Sequence, residues 1–332
     1  MLKAALIGFG SIAKAHRRAF AALKKLGKAE LICACDVDPD AFRKNAVLKD
    51  KGELISEEIS FYTDLDKMIS EEKFDFVNIC IPTFLHCEAV VKMLKCGYHV
   101  LCEKPMALSY TDCEKMLIAA RESEKELMVG QCVRFYPAYG FIKSAIEDCR
   151  FGKVTGAHFD RLSPPPVWGY KNWFMDPDCS GGSLSDLHVH DVDLIRYLFG
   201  EPEAVSCRGN TSLSIHDTVH SSFKYGDIPV TAIGDWSMAG VRFKERGQIN
   251  FEKATVIFEE QVLRVYPKDG GEAYEPQLKN QSGHFGEIEY FCDVIEGRTK
   301  NLKNTAESAA LTIKTVQALR ESIARGGEFI CG

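Results

Sequence analysis

Residues 4–13 read AALIGFGSIA, an apolar run that leads into the pattern Gly-x-Gly-x-x-Ala. The run predicts a buried strand, and the helical periodicity of residues 12–26 predicts a helix directly after the glycines. In that setting Gly8 permits a tight turn, Gly10 lets the backbone approach a pyrophosphate, and Ala13 lets the helix pack closely on the strand. The predicted cofactor-binding loop comprises Gly8, Phe9, Gly10, Ser11 and Ile12.

The second predicted strand, residues 31–35, ends directly before Asp36. A carboxylate at this position accepts hydrogen bonds from the ribose hydroxyls of an adenosine and repels a 2′-phosphate. Because no Arg or Lys stands in residues 36–39, we predict NAD as the cofactor and disfavour NADP. An aspartate that caps the following helix is the alternative role, and Asp38 is also positioned for it.

Strand and helix patterns alternate throughout the first part of the chain. Further strands are predicted at residues 74–81, 99–102 and 127–129, with helical periodicity between them. This alternation predicts an α/β fold, a doubly wound parallel sheet of the Rossmann type, over residues 1–131.

The pattern changes from residue 132 onward. Glycines at 181 and 182 open a predicted helix at 184–199, and β-rich segments follow over 205–265. Helices are predicted again at 285–295 and 305–325. We therefore predict a second, α+β domain over residues 132–332, with a large, mostly antiparallel open sheet.

Composition excludes several classes of protein. The net charge of -6 provides no basic surface for nucleic acid, and no stretch approaches the roughly 20 apolar residues of a membrane span. The 13 cysteines are scattered, without paired CxxC units, so no zinc ribbon is expected. Free cysteines in this number indicate a reducing compartment. The first residues run straight into an apolar strand, which leaves no room for a leader peptide. A cytoplasmic protein is predicted.

Several motifs, taken together, resemble those of the Gfo/Idh/MocA oxidoreductases, which are named for glucose–fructose oxidoreductase, inositol dehydrogenase and a rhizopine-catabolism protein. The resemblance covers nearly the whole chain, and its most specific element is Glu103-Lys104-Pro105. The other matching stretches are Gly8–Ala13, Val77–Thr83 with His86, Gly97–Val100, Arg134-Phe135, Gly181–Asp186 and Ala306-Glu307.

The resemblance implies an NAD(P)-dependent dehydrogenase that acts on a secondary carbinol of a sugar, sugar derivative or cyclitol. It also implies a homodimer or homotetramer formed through the C-terminal sheet, with no nucleic-acid or membrane partner. Lys104 would line the active site, with the Lys104–Pro105 peptide in the cis form. The residues that would border the cofactor are Ile81, Pro82, His86, Glu103 and Lys104.

Asp186 and His190 are four residues apart, so on one continuous helix they would share a face. The resemblance implies that His190 is the acid/base and that Asp186 supports it or holds the substrate. His188 departs from the family pattern, and we interpret it either as a substrate-selective residue or as a core histidine. The rival interpretation is a divalent metal for hydrolysis, held by His188 and His190 with Asp186 and Asp191. Residues two apart point about 200° away from each other on a helix, so both histidines cannot easily reach one ion and we predict no metal.

A further set of residues is predicted to contact the substrate, partly because aromatic faces pack on the C–H surfaces of sugars. This set comprises Cys132, Arg134, Trp168, Lys171, Trp173 and His188. For the aromatic loop at 168–173, a purely structural role is the alternative. Two other functions remain open: a glycosidase or lyase that oxidises its sugar transiently with NAD, and a non-catalytic NAD-binding sensor.

Overall fold

The computed structural model describes residues 1–50, 52–55 and 58–331. The chain divides into two compact units. The first comprises Met1–Cys132 and Ser282–Ala310, and the second comprises Val133–Gln281 and Leu311–Gly332. No helix of the described residues is long and apolar enough to cross a membrane.

Strands and helices alternate in the N-terminal part of the first unit. In chain order its elements are β1 (Leu2–Ile7), α1 (Ala13–Lys25), β2 (Ala29–Cys35), α2 (Ala41–Asn45), β3 (Leu48–Asp50), β4 (Glu53–Ile55), β5 (Ser60–Tyr62), α3 (Leu65–Glu71), β6 (Phe76–Ile79), α4 (His86–Lys95), β7 (His99–Glu103), α5 (Tyr110–Ser123) and β8 (Leu127–Gly130). A 3₁₀ turn, Thr83–Leu85, precedes α4.

Six of these strands form one parallel sheet in the order β5-β2-β1-β6-β7-β8. The strand order reverses direction at β1, so ligands are expected beyond the carboxyl ends of β1 and β6. Residues 4–7 of β1 are buried because the sheet is covered on both faces, which is why this strand is a continuous apolar run. The predicted Rossmann architecture is confirmed.

The strand β5 and the β3–β4 hairpin were not predicted from the sequence. Ser60–Tyr62 is only three residues long and pairs with β2 at the edge of the sheet. None of its three side chains is fully buried, so it lacks the apolar run by which the other strands were recognised.

Helices and strands of the second unit follow in the chain. They are α6 (Pro137–Glu147), β9 (Val154–Leu162), the 3₁₀ segment Tyr170–Met175, α7 (Pro177–Ser180), α8 (Gly182–Asp186), α9 (Val189–Phe199), β10 (Ala204–Asn210), β11 (Thr218–Tyr225), β12 (Ile228–Asp235), β13 (Lys244–Phe251), β14 (Ala254–Glu259) and β15 (Val262–Pro267). The chain then forms α10 (Gly283–Ile295), α11 (Ala306–Ala324) and β16 (Ile330–Cys331).

Eight strands of the second unit form one sheet in the order β15-β14-β13-β9-β12-β11-β10-β16. All neighbouring pairs are antiparallel except β9 and β12, which run parallel. Along β13 buried and more exposed residues alternate, as expected for a sheet with one face against the core. This is the mostly antiparallel sheet that the sequence predicts.

The predicted helix at 184–199 is wrong in one respect, because the structure divides it. Helix α8 ends at Asp186 and α9 begins at Val189. The backbone N–H groups of Leu187 and His188 both donate to the carbonyl of Ser183, at 2.9 and 2.8 Å. The regular i to i−4 ladder is therefore interrupted at this bend.

Helix α10 packs in the first unit, although the sequence pattern groups it with the second domain. Its apolar residues Ile288, Phe291 and Cys292 belong to the core formed by β1, α1 and β6. The rings of Phe76 and Phe291 meet edge to face, with centroids 5.6 Å apart. Contacts with residues far away in the sequence place this helix in the first unit, so its own apolar periodicity could not indicate which unit it packs against.

Candidate active site

The glycine turn after β1 passes tightly over the end of β6. Gly8 has a φ of +92°, and a Cβ built there would lie 2.4 Å from the carbonyl oxygen of Cys80. At Gly10, by contrast, a Cβ would meet no described atom within 4 Å. The backbone at Gly10 therefore faces open space beside the N-terminus of α1, where a pyrophosphate can approach.

Asp36 is fastened to this turn. Its Oδ2 accepts a 2.7 Å hydrogen bond from the N–H of Phe9, and its Oδ1 accepts one of 2.8 Å from the N–H of Asp38. Asp38 in turn accepts the N–H of Asp40 at 3.0 Å and forms an ion pair with Lys44. Asp38 thus occupies the start of α2, and the half-buried carboxylate of Asp36 is held at the end of β2.

Phe9 contributes its backbone, since its side chain is fully buried. The guanidinium of Arg17 lies 4.2 Å from the centre of the Phe9 ring. Asn45 donates from its amide to the carbonyl of Phe9 at 2.8 Å, and Arg17 donates to the carbonyl of Asn45. These contacts with buried side chains fix the conformation of the loop. The residues of the turn therefore fit the diphosphate and ribose of a dinucleotide.

His86 joins two other loops at the same edge of the sheet. Its Nδ1 lies 2.9 Å from the carbonyl oxygen of Pro105 and its Nε2 2.9 Å from that of Ile81. Burial lowers the pKa of His86, and the two carbonyls oppose this shift. The ring is buried, so His86 holds the loops after β6 and β7 together, while Ile81 and Pro82 remain partly exposed.

Lys104 follows β7 at this edge and is partly exposed. The Lys104–Pro105 peptide is cis. The backbone N–H of Lys104 donates to Oε2 of Glu103 at 3.1 Å, and Oε1 of Glu103 lies 2.6 Å from Nε2 of His16. Burial raises the pKa of Glu103, but the hydrogen bond with His16 and the neighbouring positive charges outweigh it and lower that pKa to about 2. Glu103 therefore fixes the loop at Lys104 through its contact with the buried His16.

In the second unit, Asp186 and Trp168 line one pocket of about 450 Å³. The walls are mainly aromatic and proline side chains, which suits the C–H faces of a small ring. The other lining residues are Ser163, Pro164, Pro166, Phe174, Leu187, Trp236 and Phe243. Sequence reasoning missed Trp236 and Phe243, because they lie about 70 residues from Trp168 in the chain and only the fold brings them to the same pocket.

The bend between α8 and α9 changes the expected relation of Asp186 to His190. Asp186 is the last residue of α8, and His190 lies in the first turn of α9. The two residues are therefore not on one continuous helix, so helical spacing alone does not place their side chains on one face. Asp186 lines the pocket described above.

His188 lies in the core of the second unit. It is fully buried, and its Nε2 lies 2.8 Å from Oγ of Ser221. A Cβ at Gly234 would come within 2.7 Å of His188 Cβ, so this histidine packs against bare backbone. Burial, followed by the charges of Arg161 and His220, lowers the pKa of His188 to about 3. These contacts favour the core-histidine interpretation.

Arg134 is also buried. Its guanidinium donates two hydrogen bonds to the carboxylate of Asp193, at 2.7 and 2.6 Å. Asp193 also accepts from Thr312 at 2.8 Å, so the ion pair ties α9 to α11. The conformation of the Arg134 guanidinium is therefore explained by this bidentate ion pair, without a substrate. Cys132, another predicted substrate residue, is also buried.

The aromatic loop contains the remaining predicted substrate residues. Trp168 is 58% exposed, and Lys171 is exposed with a φ of 50°. Trp173 stacks on Phe174, with ring centroids 4.0 Å apart. Trp173 therefore has a structural partner, whereas Trp168 and Lys171 keep surface that a ligand can contact.

Two family models match the chain. The oxidoreductase family with an NAD-binding Rossmann fold, Gfo/Idh/MocA, matches residues 2–131, and the Gfo/Idh/MocA C-terminal domain matches residues 139–257. The chain therefore belongs to the Gfo/Idh/MocA oxidoreductase family. The family and the NAD-binding Rossmann fold predicted from the sequence are confirmed.

Curated relatives have differing activities. The chain is 33% identical over 181 residues to 2,7-anhydro-N-acetylneuraminate hydratase of Mediterraneibacter gnavus, a match that covers 54% of the chain and 46% of the relative. The chain thus spans about half the length of that relative. It is 27% identical over 309 residues to inositol 2-dehydrogenase of Rhizobium meliloti, covering 88% of each.

The fold is also that of a solved structure of levoglucosan dehydrogenase in complex with NADH and levoglucosan. The TM-score is 0.84 at 20% sequence identity, and the superposition covers 99% of both chains.

Proposed function

We propose that the protein is an NAD-dependent dehydrogenase that acts on a secondary carbinol of a sugar, sugar derivative or cyclitol. The observation that carries this proposal is the glycine turn fastened to Asp36 at the switch point of a parallel sheet. The similarity to inositol 2-dehydrogenase over 88% of the chain supports the substrate class.

The cofactor would be held by residues 1–131 of the first unit, and the substrate and oligomer contacts would be made by the second unit. The backbone of Gly8, Gly10 and the first turn of α1 would receive the diphosphate. Asp36 would accept the ribose hydroxyls and disfavour NADP, and the partly exposed Ile81 and Pro82 would border the nicotinamide side. When bound, the nicotinamide ring accepts or supplies a hydride.

Three side chains would act on the substrate. His190 would take the proton of the carbinol hydroxyl, since neutral imidazole is a base near neutral pH. Lys104 would stabilise the negative charge that develops on the oxygen. Asp186 would bind a substrate hydroxyl from the wall of its pocket.

The substrate would bind against the aromatic walls of the pocket of the second unit. Of the predicted substrate residues, Trp168 lines this pocket, and Lys171 is an exposed residue of the same loop. His188 and Arg134 would affect specificity only through the shape of the core, since both are buried. We also propose that the protein is cytoplasmic and forms a homodimer or homotetramer through the sheet of the second unit. Size-exclusion chromatography with light scattering tests the oligomeric state.

The test of the main proposal is NADH absorbance with a panel of sugars, sugar acids and inositols. We expect stoichiometric NADH with at least one panel member and weaker turnover with NADP. Tight NAD binding with no turnover on any of them, in either direction, would contradict the proposal and favour a sensor.

A second candidate is a lyase or hydratase that oxidises its sugar only transiently. The relative from Mediterraneibacter gnavus, named a hydratase, favours this candidate. Conversion of a sugar without net NADH formation, together with exchange of hydrogen between substrate and cofactor, would identify it. Stoichiometric NADH release would exclude it.

A further inference from the structure

Four side chains with metal-binding atoms meet inside the first unit. They are His16 on α1, Glu103 at the end of β7, and His284 and Glu287 near the start of α10. One ligand atom from each lies within 4.8 Å of the others. We refer to them as the His₂Glu₂ cluster, and its members are so far apart in sequence that no motif predicts it.

Glu287 has no hydrogen-bond partner in this environment. Its carboxyl group is fully buried, and neither oxygen has a partner within residues 1–50, 52–55 and 58–331. The carboxyl group lies beside two imidazoles and a second carboxyl group. Together these four side chains offer a cation a set of nitrogen and oxygen ligands inside the unit.

From this geometry we propose that the His₂Glu₂ cluster is a divalent metal site and that its ion is zinc. Imidazole ligands disfavour magnesium and calcium, which prefer oxygen, whereas two nitrogens and two oxygens suit a tetrahedral zinc ion. Two carboxylates balance the charge of the ion. The four ligands come from the protein, so the site is structural and not catalytic.

Ligand atoms around tetrahedral zinc lie about 3.4 Å apart, given bonds of about 2.1 Å. His16 and Glu103 are closer than this, at 2.6 Å, and must separate when the ion enters. The His16 and His284 rings meet edge to face, with their planes at 75° and their centroids 5.2 Å apart. The partial exposure of His284 provides the entry path.

Asn78 supplies an outer contact of the kind that orients metal-binding histidines. Its side-chain amide lies 2.6 Å from Nδ1 of His16. With the amide turned so that its oxygen faces Nδ1–H, the lone pair of Nε2 is directed at the cluster. The ion would thus connect α10 to α1 and to the residue before Lys104, which stabilises the loop that carries this lysine.

The experiment uses the full chain, freed of any polyhistidine tag, treated with chelator, exposed to zinc chloride and desalted. We expect about one zinc per chain by mass spectrometry, and a Tm raised by about 5 °C relative to the metal-free protein. Glu287→Gln and His284→Gln should lower the bound zinc at least tenfold and abolish the Tm increase. Matched controls are Glu289→Gln, on the same helix, and His220→Gln, an exposed histidine of the second unit; both should retain the zinc.

Cobalt distinguishes this site from binding to the 13 cysteines. With Co²⁺ we expect visible absorption of a tetrahedral nitrogen and oxygen site, without thiolate-to-cobalt charge transfer. Zinc below about 0.1 per chain, equal zinc in the wild type and both cluster variants, or a thiolate band would each overturn the proposal. Because Glu287→Gln preserves the shape of a buried side chain, its metal-free form should fold, and its Tm serves to verify this.

Discussion

The backbone N–H of Phe9 donates a 2.7 Å hydrogen bond to the carboxylate of Asp36. This bond joins the turn after β1 to the end of β2, so the residue that would select the cofactor also fixes the loop that would bind its diphosphate. Loop geometry and cofactor preference are therefore expected to change together when Asp36 is altered.

Asp36→Ala should weaken NAD binding by about 1–3 kcal/mol, because the ribose hydroxyls and the N–H of Phe9 both lose a charged acceptor. Asp38→Ala, which removes the neighbouring carboxylate at the start of α2, should leave the preference for NAD over NADP unchanged. Fluorescence titration with both dinucleotides measures this. Tighter binding of NADP than NAD by the wild type would refute the assignment.

Gly8 and Gly10 should respond differently to the same added methyl group. Gly8→Ala should destabilise the protein by at least about 1–3 kcal/mol, because of its positive φ and the 2.4 Å approach to Cys80. Gly10→Ala should change stability by less than about 0.5 kcal/mol, yet weaken NAD binding because its Cβ occupies the open approach to the turn. Thermal melts and NAD titration separate the effects; unchanged NAD affinity in Gly10→Ala would argue against diphosphate binding there.

Lys104→Met should lower turnover by at least about a hundredfold with little change in NAD affinity, as expected when a charge that stabilises the reacting oxygen is lost. The backbone N–H to Glu103 and the packing of Pro105 are retained in this variant. Lys115→Met, on the exposed face of α5, is the control and should behave as wild type. Near-normal turnover of Lys104→Met would make this lysine structural.

Carbinol oxidation should increase with pH through one ionisation if His190 accepts the proton, since only neutral imidazole can do so. His190→Ala should remove this ionisation and lower kcat by about a hundredfold or more. His188→Gln should preserve it. The measurement is a pH–rate profile of the three proteins, and loss of the ionisation in His188→Gln alone would reverse the assignment.

Buried His188 should make the second unit sensitive to acid. Its pKa of about 3 in the folded protein lies below the ordinary histidine pKa of 6.5, so the unfolded chain binds more protons between these two pH values. The contribution of His188 to the free energy of unfolding is therefore fully present above pH 6.5. It decreases as the pH drops below this value, by about 1.4 kcal/mol per pH unit. Denaturant melts from pH 7 to 4 should show that the free energy of unfolding changes less with pH for His188→Gln than for the wild type. The same pH dependence in both proteins would show that His188 is not buried as a neutral ring.

Local sequence was sufficient where a motif and its structural setting lie within a few residues. The glycine turn, Asp36 and the loop at Lys104 all follow directly from a strand, so the parallel sheet was enough to predict their shared edge. The bend after Asp186 could not be predicted in this way, because the apolar periodicity continues past Leu187, whereas the i to i−4 hydrogen-bond ladder is interrupted at His188.

Contacts between residues that are far apart in the sequence could not be predicted either. Arg134 was interpreted as a substrate contact from its position in a motif, but its bidentate partner is 59 residues away. His284 and Glu287 offered only an i, i+3 spacing on a helix assigned to the other domain. Which side chains are buried, and which residues they contact, depends on tertiary packing. A single sequence does not show that packing.

The packing of α10 has a consequence for synthesis on the ribosome. The first unit lacks Ile288, Phe291 and Cys292 until all of Val133–Gln281 has been translated. Until then the nascent Rossmann sheet presents the apolar surface around Phe20 and Phe76 that α10 later covers. Its folding is therefore completed late and from the C-terminal side, and the second unit in turn is completed only when Leu311–Gly332 has been translated.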